Sequence, residues 1–308
     1  AFALINSFRD QVFGFGWMYD VFMEKVDGVL RLHKLVQEKP TITDPPNPQP
    51  LPASPLAEVS FEGVDYAYDG KPGEQRPCAL REITITVQRG EVLGIAGPSG
   101  HGKSTLLNLI MRHADPTKGT VRFNGVDLRM ADCGELRRQI GIVDQFIRLF
   151  RTTAYGNIAF GRNVSPGQVE AAARLAGAHD FIMALPGGKG YDTDLADRGL
   201  NLSGGQIQRI GIARALVGNP SLLIFDEATS AVDPHSIDLI MRGIKQKKGT
   251  CTIILVSHQL STLQALADRI AVVRHGRIAE IGTHAELLKG NGFYRELVEI
   301  QQNEEKNE

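Results

Sequence analysis

The sequence predicts an α/β domain built on a parallel sheet and preceded by a separate helix. Three observations carry that expectation. The continuous apolar runs "VLGIAG", "SLLIFDE" and "TIILVSH" end in glycine or polar residues, as strands buried on both faces of a parallel sheet do. Stretches of helical character, such as "GQVEAAARLAGAHDFIMAL" and "GQIQRIGIARALVG", lie among them, which implies right-handed crossovers. A proline-dense segment, "KPTITDPPNPQPLPASP", sets the N-terminal helix apart from everything that follows.

Residues 1–38 form the helical segment. Ile5, Phe8, Val12, Phe15, Tyr19, Phe22, Val26 and Val29 alternate three and four apart, the spacing of a helix that buries one stripe. Phe13, Trp17, Met18 and Val21 lie off that stripe, so the helix is apolar on more than one face. Either it packs on its own domain or it is the end of a helix whose partners are absent. Residues 39–55 are a stiff, extended linker, because their prolines exclude helix and central strand. The main domain spans 56–300. "AEVSFEGVDYAY" and "ALREITITVQRGE" alternate as half-buried antiparallel strands, and "IAVVRHGRIAEIG" is a hairpin turning at His275-Gly276. The acidic end, 301–308, is expected to fray.

Among the 308 residues, 34 Lys and Arg balance 35 Asp and Glu, so there is no global field to gather nucleic acid. Cys78, Cys133 and Cys251 lie far apart, without metal-ligand spacing or a disulfide pattern, which fits a reducing compartment. No signal peptide opens the chain, and no apolar run reaches the roughly 18 residues that span a bilayer. The chain begins with Ala1 rather than Met, which is read as a cut within a longer protein.

"GPSGHGKST" fits G-x-x-x-x-G-K-[ST] through Gly97, Gly102, Lys103 and Ser104, between a buried strand and an apolar helix. The context makes it a phosphate-binding loop. Its glycines let backbone N–H groups wrap a polyphosphate, Lys103 adds a point charge and Ser104 offers a hydroxyl to Mg²⁺. "SLLIFDEATS" delivers Asp226 and Glu227 to the carboxyl end of a buried strand, where ligands of open α/β sheets sit. There Asp226 suits Mg²⁺ and Glu227 a general base for the attacking water. His258 and Gln145 also end apolar runs; in isolation each reads more readily as structural, a strand-end histidine or a turn-capping glutamine. A second anion-type loop, "NLSGGQIQR", lies far downstream of the first.

Together these motifs resemble, from Val59 to about Leu297, the nucleotide-binding domain of ABC (ATP-binding cassette) transporters, most closely the exporter type. The order matches throughout: an aromatic at Tyr68, Walker A at Gly97–Thr105, the glutamine Gln145, LSGGQ at Leu202–Gln206, Walker B at Leu222–Glu227, a D-loop "SAVD" ending at Asp233, and the switch histidine His258. The resemblance implies a P-loop NTPase fold with a parallel-sheet RecA-like core, an antiparallel β subdomain and an α-helical signature subdomain. It implies that Tyr68 stacks on adenine, with Tyr66 the less favoured rival. Ser99, Gly100, His101 and Thr105 join Gly97, Gly102, Lys103 and Ser104 around the nucleotide. Ser104, Gln145 and Asp226 would hold Mg²⁺. Glu227, His258 and Gln145 would serve catalysis, and Asp233 communication between cassettes. Ser203, Gly204, Gly205 and Gln206 would bind the γ-phosphate held by a second cassette, which explains two distant loops: each is half of a site.

The implied protein is an ATPase motor that closes head-to-tail as a homodimer or heterodimer around two ATP molecules. It would act at the cytoplasmic face of a membrane under a transmembrane domain absent from this chain, the given fragment itself being soluble. Residues 1–38 would be the junction from the last membrane helix of a half-transporter. The alternative is a soluble ABC-type ATPase of DNA repair, chromosome structure or translation; the contiguous single cassette argues against it. Three departures stand out. His101 replaces a small residue and is expected to face solvent rather than add a pH-sensitive phosphate contact. Arg148 and Gly156 stand where apolar and acidic residues are usual, and Asp197 stands where a glutamate is usual.

Overall fold

The computed structural model describes residues 2–38, 40–68, 78–195, 202–227 and 247–305. It divides into two compact units, residues 1–43 and 44–308.

The first unit is helix α1, Phe2–Gln37. On the predicted stripe Phe8, Val12, Phe15, Tyr19, Phe22 and Val29 are exposed, and so are the off-stripe Phe13, Trp17 and Met18. Charged residues such as Arg9 and Asp20 interrupt the apolar runs, and no described helix is long and apolar enough to cross a membrane.

The second unit holds two sheets. Strands β1 (Val59–Ala67) and β2 (Cys78–Val87) pair antiparallel. Strand β3 (Val92–Ala96) leads into helix α2 (Lys103–Ile110), and β4 (Lys118–Phe123) and β5 (Val126–Asp127) complete a four-stranded sheet of order β2-β1-β4-β5. Helix α3 (Cys133–Gln139) precedes β6 (Ile140–Val143). Helices α4 (Ala154–Ala159), α5 (Pro166–Leu175), α6 (His179–Met183) and α7 (Gly204–Leu216) follow. Strands β7 (Leu222–Asp226), β8 (Thr252–Val256), β9 (Arg269–Arg274) and β10 (Arg277–Gly282) complete a six-stranded sheet of order β10-β9-β3-β8-β7-β6. All its pairs are parallel except β9 with β10.

The continuous apolar runs are buried on both faces because two cores flank this sheet. Leu223, Phe225, Ile253 and Leu255 face one core with the helices α4, α5 and α7. The alternate residues Leu222, Ile224, Ile254 and Val256 face the other, beneath α2 and the antiparallel sheet. Reciprocal capping boxes set the starts of α5, Ser165 with Gln168, of α7, Ser203 with Gln206, and of the helix His284–Lys289, Thr283 with Glu286. The stretch read as one helix from 167 onward breaks into α5 and α6 at Gly177, whose φ of 64° ends the first helix.

Two stretches differ from expectation. Part of the proline-rich segment belongs to the second unit, which begins at Asp44 rather than Leu56. The backbone N–H of Gln49 donates to Met130 O at 2.7 Å, Asp44 Oδ1 accepts from Cys133 N at 2.8 Å, and Leu51 is buried in the core. A chain with few N–H groups can lie extended along a surface while its few donors find partners. The tail expected to fray from 301 is helical to Glu305, continuing a helix from Phe293. Tyr294, Leu297 and Val298 of that helix pack on the core, and this anchors the residues that follow.

Candidate nucleotide site

Four strand ends converge on one site. The loop after β3 carries Gly97 to Gly102, the residues after β7 and β8 carry Glu227 and His258, and Gln145 follows β6. This is the carboxyl edge of the parallel sheet. A cavity of about 460 Å³ is lined by Tyr68, Ala79, Ser99, Gly100, Gly102, Lys103, Ser104, Thr105, Gln145 and Glu227.

Glycine is required at two points of the loop. Gly97 has φ 142°, and a Cβ there would lie 2.2 Å from Val273 O. Gly102 has φ 109°, and a Cβ there would lie 2.8 Å from Ala79 O. Gly102 caps α2 without a side-chain hydrogen bond, so the first N–H groups of α2 have no side-chain cap. Lys103 is buried; its Nζ donates to Gly97 O at 2.7 Å and to Pro98 O at 3.0 Å, tying the loop around itself. Burial pulls its pKa down, and the Glu227 and Asp226 carboxylates push back.

Tyr68 reaches the cavity edge, its hydroxyl 2.9 Å from Thr105 Oγ1. Tyr66 meets Tyr68 edge-on, with ring centroids 5.0 Å apart, and packs against the second core rather than lining this cavity. Glu227 has the left-handed φ of 50°, a conformation that costs a non-glycine residue of the order of 1 kcal/mol or more. Its N–H donates to Val256 O at 3.0 Å. Its carboxylate lies between two donors: Gln145 Nε2 at 2.8 Å from Oε2, and His258 Nε2 at 2.5 Å from Oε1. The two residues that were ambiguous in isolation therefore grip one carboxylate. Burial raises the pKa of Asp226, and the neighbouring Glu227 and Asp144 raise it further, against Lys103 and His258. Such carboxylates favour a cation.

The donor set fits Mg²⁺. Hydroxyl, amide and carboxylate oxygens of Ser104, Gln145 and Asp226 are hard ligands, and Mg²⁺ bound with a polyphosphate needs only one or two protein carboxylates. The glycine cradle and uncapped helix start fit the polyphosphate itself.

Residues 202–206 do not line this cavity. Ser203 caps α7: its Oγ accepts from Gln206 N at 3.3 Å, and Gln206 Oε1 accepts from Ser203 N at 2.9 Å. Gly204 and Gly205 form the first turn of α7. Asp233 and Asp197 lie outside the described residues. His101 is half-buried at the loop. Its ring lies 4.8 Å from that of His275 at the β9–β10 turn, and burial followed by His275, Lys103 and Arg274 holds its pKa down. The unusual 146–157 segment is clamped from α7. Arg214 donates to Arg148 O at 3.0 Å and to Asn157 O at 2.9 Å, and lies over the rings of Phe150 and Phe160. Burial pulls its pKa down to about 10. Asn157, fully buried, accepts from Phe150 N and donates back to Phe150 O. Neither Arg214 nor Asn157 is signalled by a motif. A polar residue within a small apolar helix was the only hint of Asn157.

The sequence profile of the family described as "ABC transporter" matches residues 80–230. The chain is 41% identical over 295 residues to "ABC transporter ATM1" of Toxoplasma gondii, an alignment covering 90% of this chain and 26% of that protein. It is 47% identical over 246 residues to "Exotoxin translocation ATP-binding protein PaxB" of Pasteurella aerogenes, covering 79% of this chain and 34% of that protein. A solved structure, a bacterial Atm1-family ABC exporter with ATP bound, superposes with a TM-score of 0.79 at 37% identity, covering 92% of this chain and 49% of that one. The chain thus spans from about a quarter to half of the length of these relatives. With the loop, strand ends and signature helix arranged as above, the chain belongs to the ABC transporter family and carries its nucleotide-binding domain.

Proposed function

We propose that this chain is the ATP-hydrolysing motor of an ABC exporter and works as a head-to-tail pair of cassettes around two ATP molecules. The observation that carries this reading is the convergence of Lys103, Gln145, Glu227 and His258 at one sheet edge, while Ser203–Gln206 starts a helix outside that cavity. A complete site then needs the signature helix of a second cassette. The relatives support an exporter over a DNA-repair ATPase, since those named are transporter or translocation proteins.

In this mechanism the loop N–H groups and Lys103 hold the phosphates, and Tyr68 stacks on adenine. Ser104, Gln145 and Asp226 would hold Mg²⁺, which when bound supplies positive charge to the phosphate oxygens. Glu227 accepts a proton from the attacking water, and Gln145 and His258 hold its carboxylate in place. Ser203, Gly204, Gly205 and Gln206 of the facing cassette complete the γ-phosphate site with the N-terminus of α7. ATP thereby favours the closed pair through contacts available only there, and loss of the γ-phosphate releases it. Within a longer protein, residues 1–38 would join the cassette to a membrane domain at the cytoplasmic face.

Glu227→Gln tests the reading. It removes the base while keeping the side-chain volume, so ATP should bind, turnover should fall about a hundredfold or more, and the chain should dimerise with ATP on a sizing column. A chain that stays monomeric with saturating ATP at high protein concentration would refute the paired site.

A further inference from the structure

The C-terminal helix Phe293–Glu305 contains none of the motifs above, yet it is bonded to the loop that carries His258. The Gln301 carboxamide accepts from Leu260 N at 3.0 Å and donates through Nε2 to the His258 carbonyl. Leu260 opens the helix Leu260–Leu266, whose N-cap residue Gln259 makes no side-chain cap, so Gln301 from a distant helix satisfies that free N–H. Leu297, Ile300 and Gln301 also line a small cavity of about 180 Å³ with Gly97, Pro98, Ser257 and His258. The helix therefore adjoins the start of the phosphate loop and the histidine loop together. Beyond that loop, His258 Nε2 meets Glu227 Oε1 at 2.5 Å.

We propose that Gln301 is a positioning residue for ATP hydrolysis: it fixes the backbone of His258 and so holds the imidazole against Glu227. This rests on the roles given above to His258 and Glu227. The physical case is leverage. The main-chain carbonyl of His258 and the N–H of Leu260 bracket a short turn that Ser257 Oγ also ties locally, accepting from Gln259 N at 3.0 Å and donating to Gln259 O at 3.2 Å. Without Gln301 the turn keeps its fold but loses its two hydrogen bonds to the C-terminal helix. The imidazole then spends less time in the orientation that steadies Glu227. Binding of ATP through the phosphate loop and Lys103 does not need that orientation. The C-terminal helix thus becomes a point at which anything that displaces it would slow turnover without releasing nucleotide.

The test is Gln301→Leu in the 308-residue chain. Two lost hydrogen bonds to a positioning element should lower kcat about five- to tenfold, with the Kd for a fluorescent ATP analogue within about twofold of wild type. The His258 ring resonances should move in the nucleotide-free variant, while those of His179, paired with Tyr191 at 2.9 Å, stay in place. A wild-type kcat in Gln301→Leu, alongside an inactive His258→Ala, would overturn this inference alone. So would a parallel loss of ATP affinity and melting temperature, which marks a merely structural role. A His258→Ala variant at the wild-type rate would overturn both this inference and the reading beneath it.

Discussion

Replacing Ser203 by Asp separates two jobs that Ser203→Ala removes together. Ser203 caps α7 through its Oγ, which accepts from Gln206 N at 3.3 Å, with the reciprocal bond to its own N–H at 2.9 Å. Losing such a cap to Ala costs about 1 kcal/mol. With a denaturant slope of about 2–3 kcal/mol/M for a domain of this size, the urea midpoint should fall by roughly 0.4 M. Asp caps as well as Ser does, and its charge is favourable at a helix N-terminus. The midpoint of Ser203→Asp should therefore stay within about 0.1–0.2 M of wild type. Its carboxylate, however, would face the γ-phosphate of the partner site. In the Glu227→Gln background, Ser203→Asp should bind ATP with unchanged affinity and remain monomeric by analytical ultracentrifugation. A Ser203→Asp chain that dimerises with ATP as readily as its parent would refute the reasoning. A midpoint as low as that of Ser203→Ala would refute the capping argument.

Gly97→Ala forces a Cβ to 2.2 Å from Val273 O in a left-handed backbone, which should cost about 2–5 kcal/mol. A melting temperature lowered by roughly 5–15 °C is expected, and an unchanged one would show that the loop relaxes freely. His101 and His113 both have pKa values held down, chiefly by burial. The unfolded chain then binds more protons than the folded one below about pH 6.5, so stability should fall as pH drops through that value. Replacing His101 by Gln should flatten the decline in urea midpoint between about pH 7 and pH 5.5, and an unaltered slope would remove His101 as a contributor.

The local patterns were legible in the residues. Strands buried on two faces, a hairpin turning at His275-Gly276, and a glycine loop between strand and helix each depend on neighbours within a few residues, so periodicity and turn chemistry reveal them. The ordered motifs carried the family, and the structure brings Lys103, Gln145 and Glu227 to one cavity, with His258 on the Glu227 carboxylate. The linker boundary at Leu56 and the frayed tail were misjudged for a common reason. Proline density and acidity describe what a segment is by itself, while the contacts of Asp44, Gln49 and Leu51 with the domain, and of Tyr294 with the core, depend on what lies opposite. His101 against His275, Arg214 across Asn157, and Gln301 on His258 join residues far apart in sequence, with no spacing to announce them. The sequence by itself determined which chemistry this chain carries, because phosphate-binding loops and strand-end acids are short-range designs. Tertiary structure alone decided which residues hold that chemistry in place, because a side chain's partners follow from packing across the sheet rather than from order along the chain.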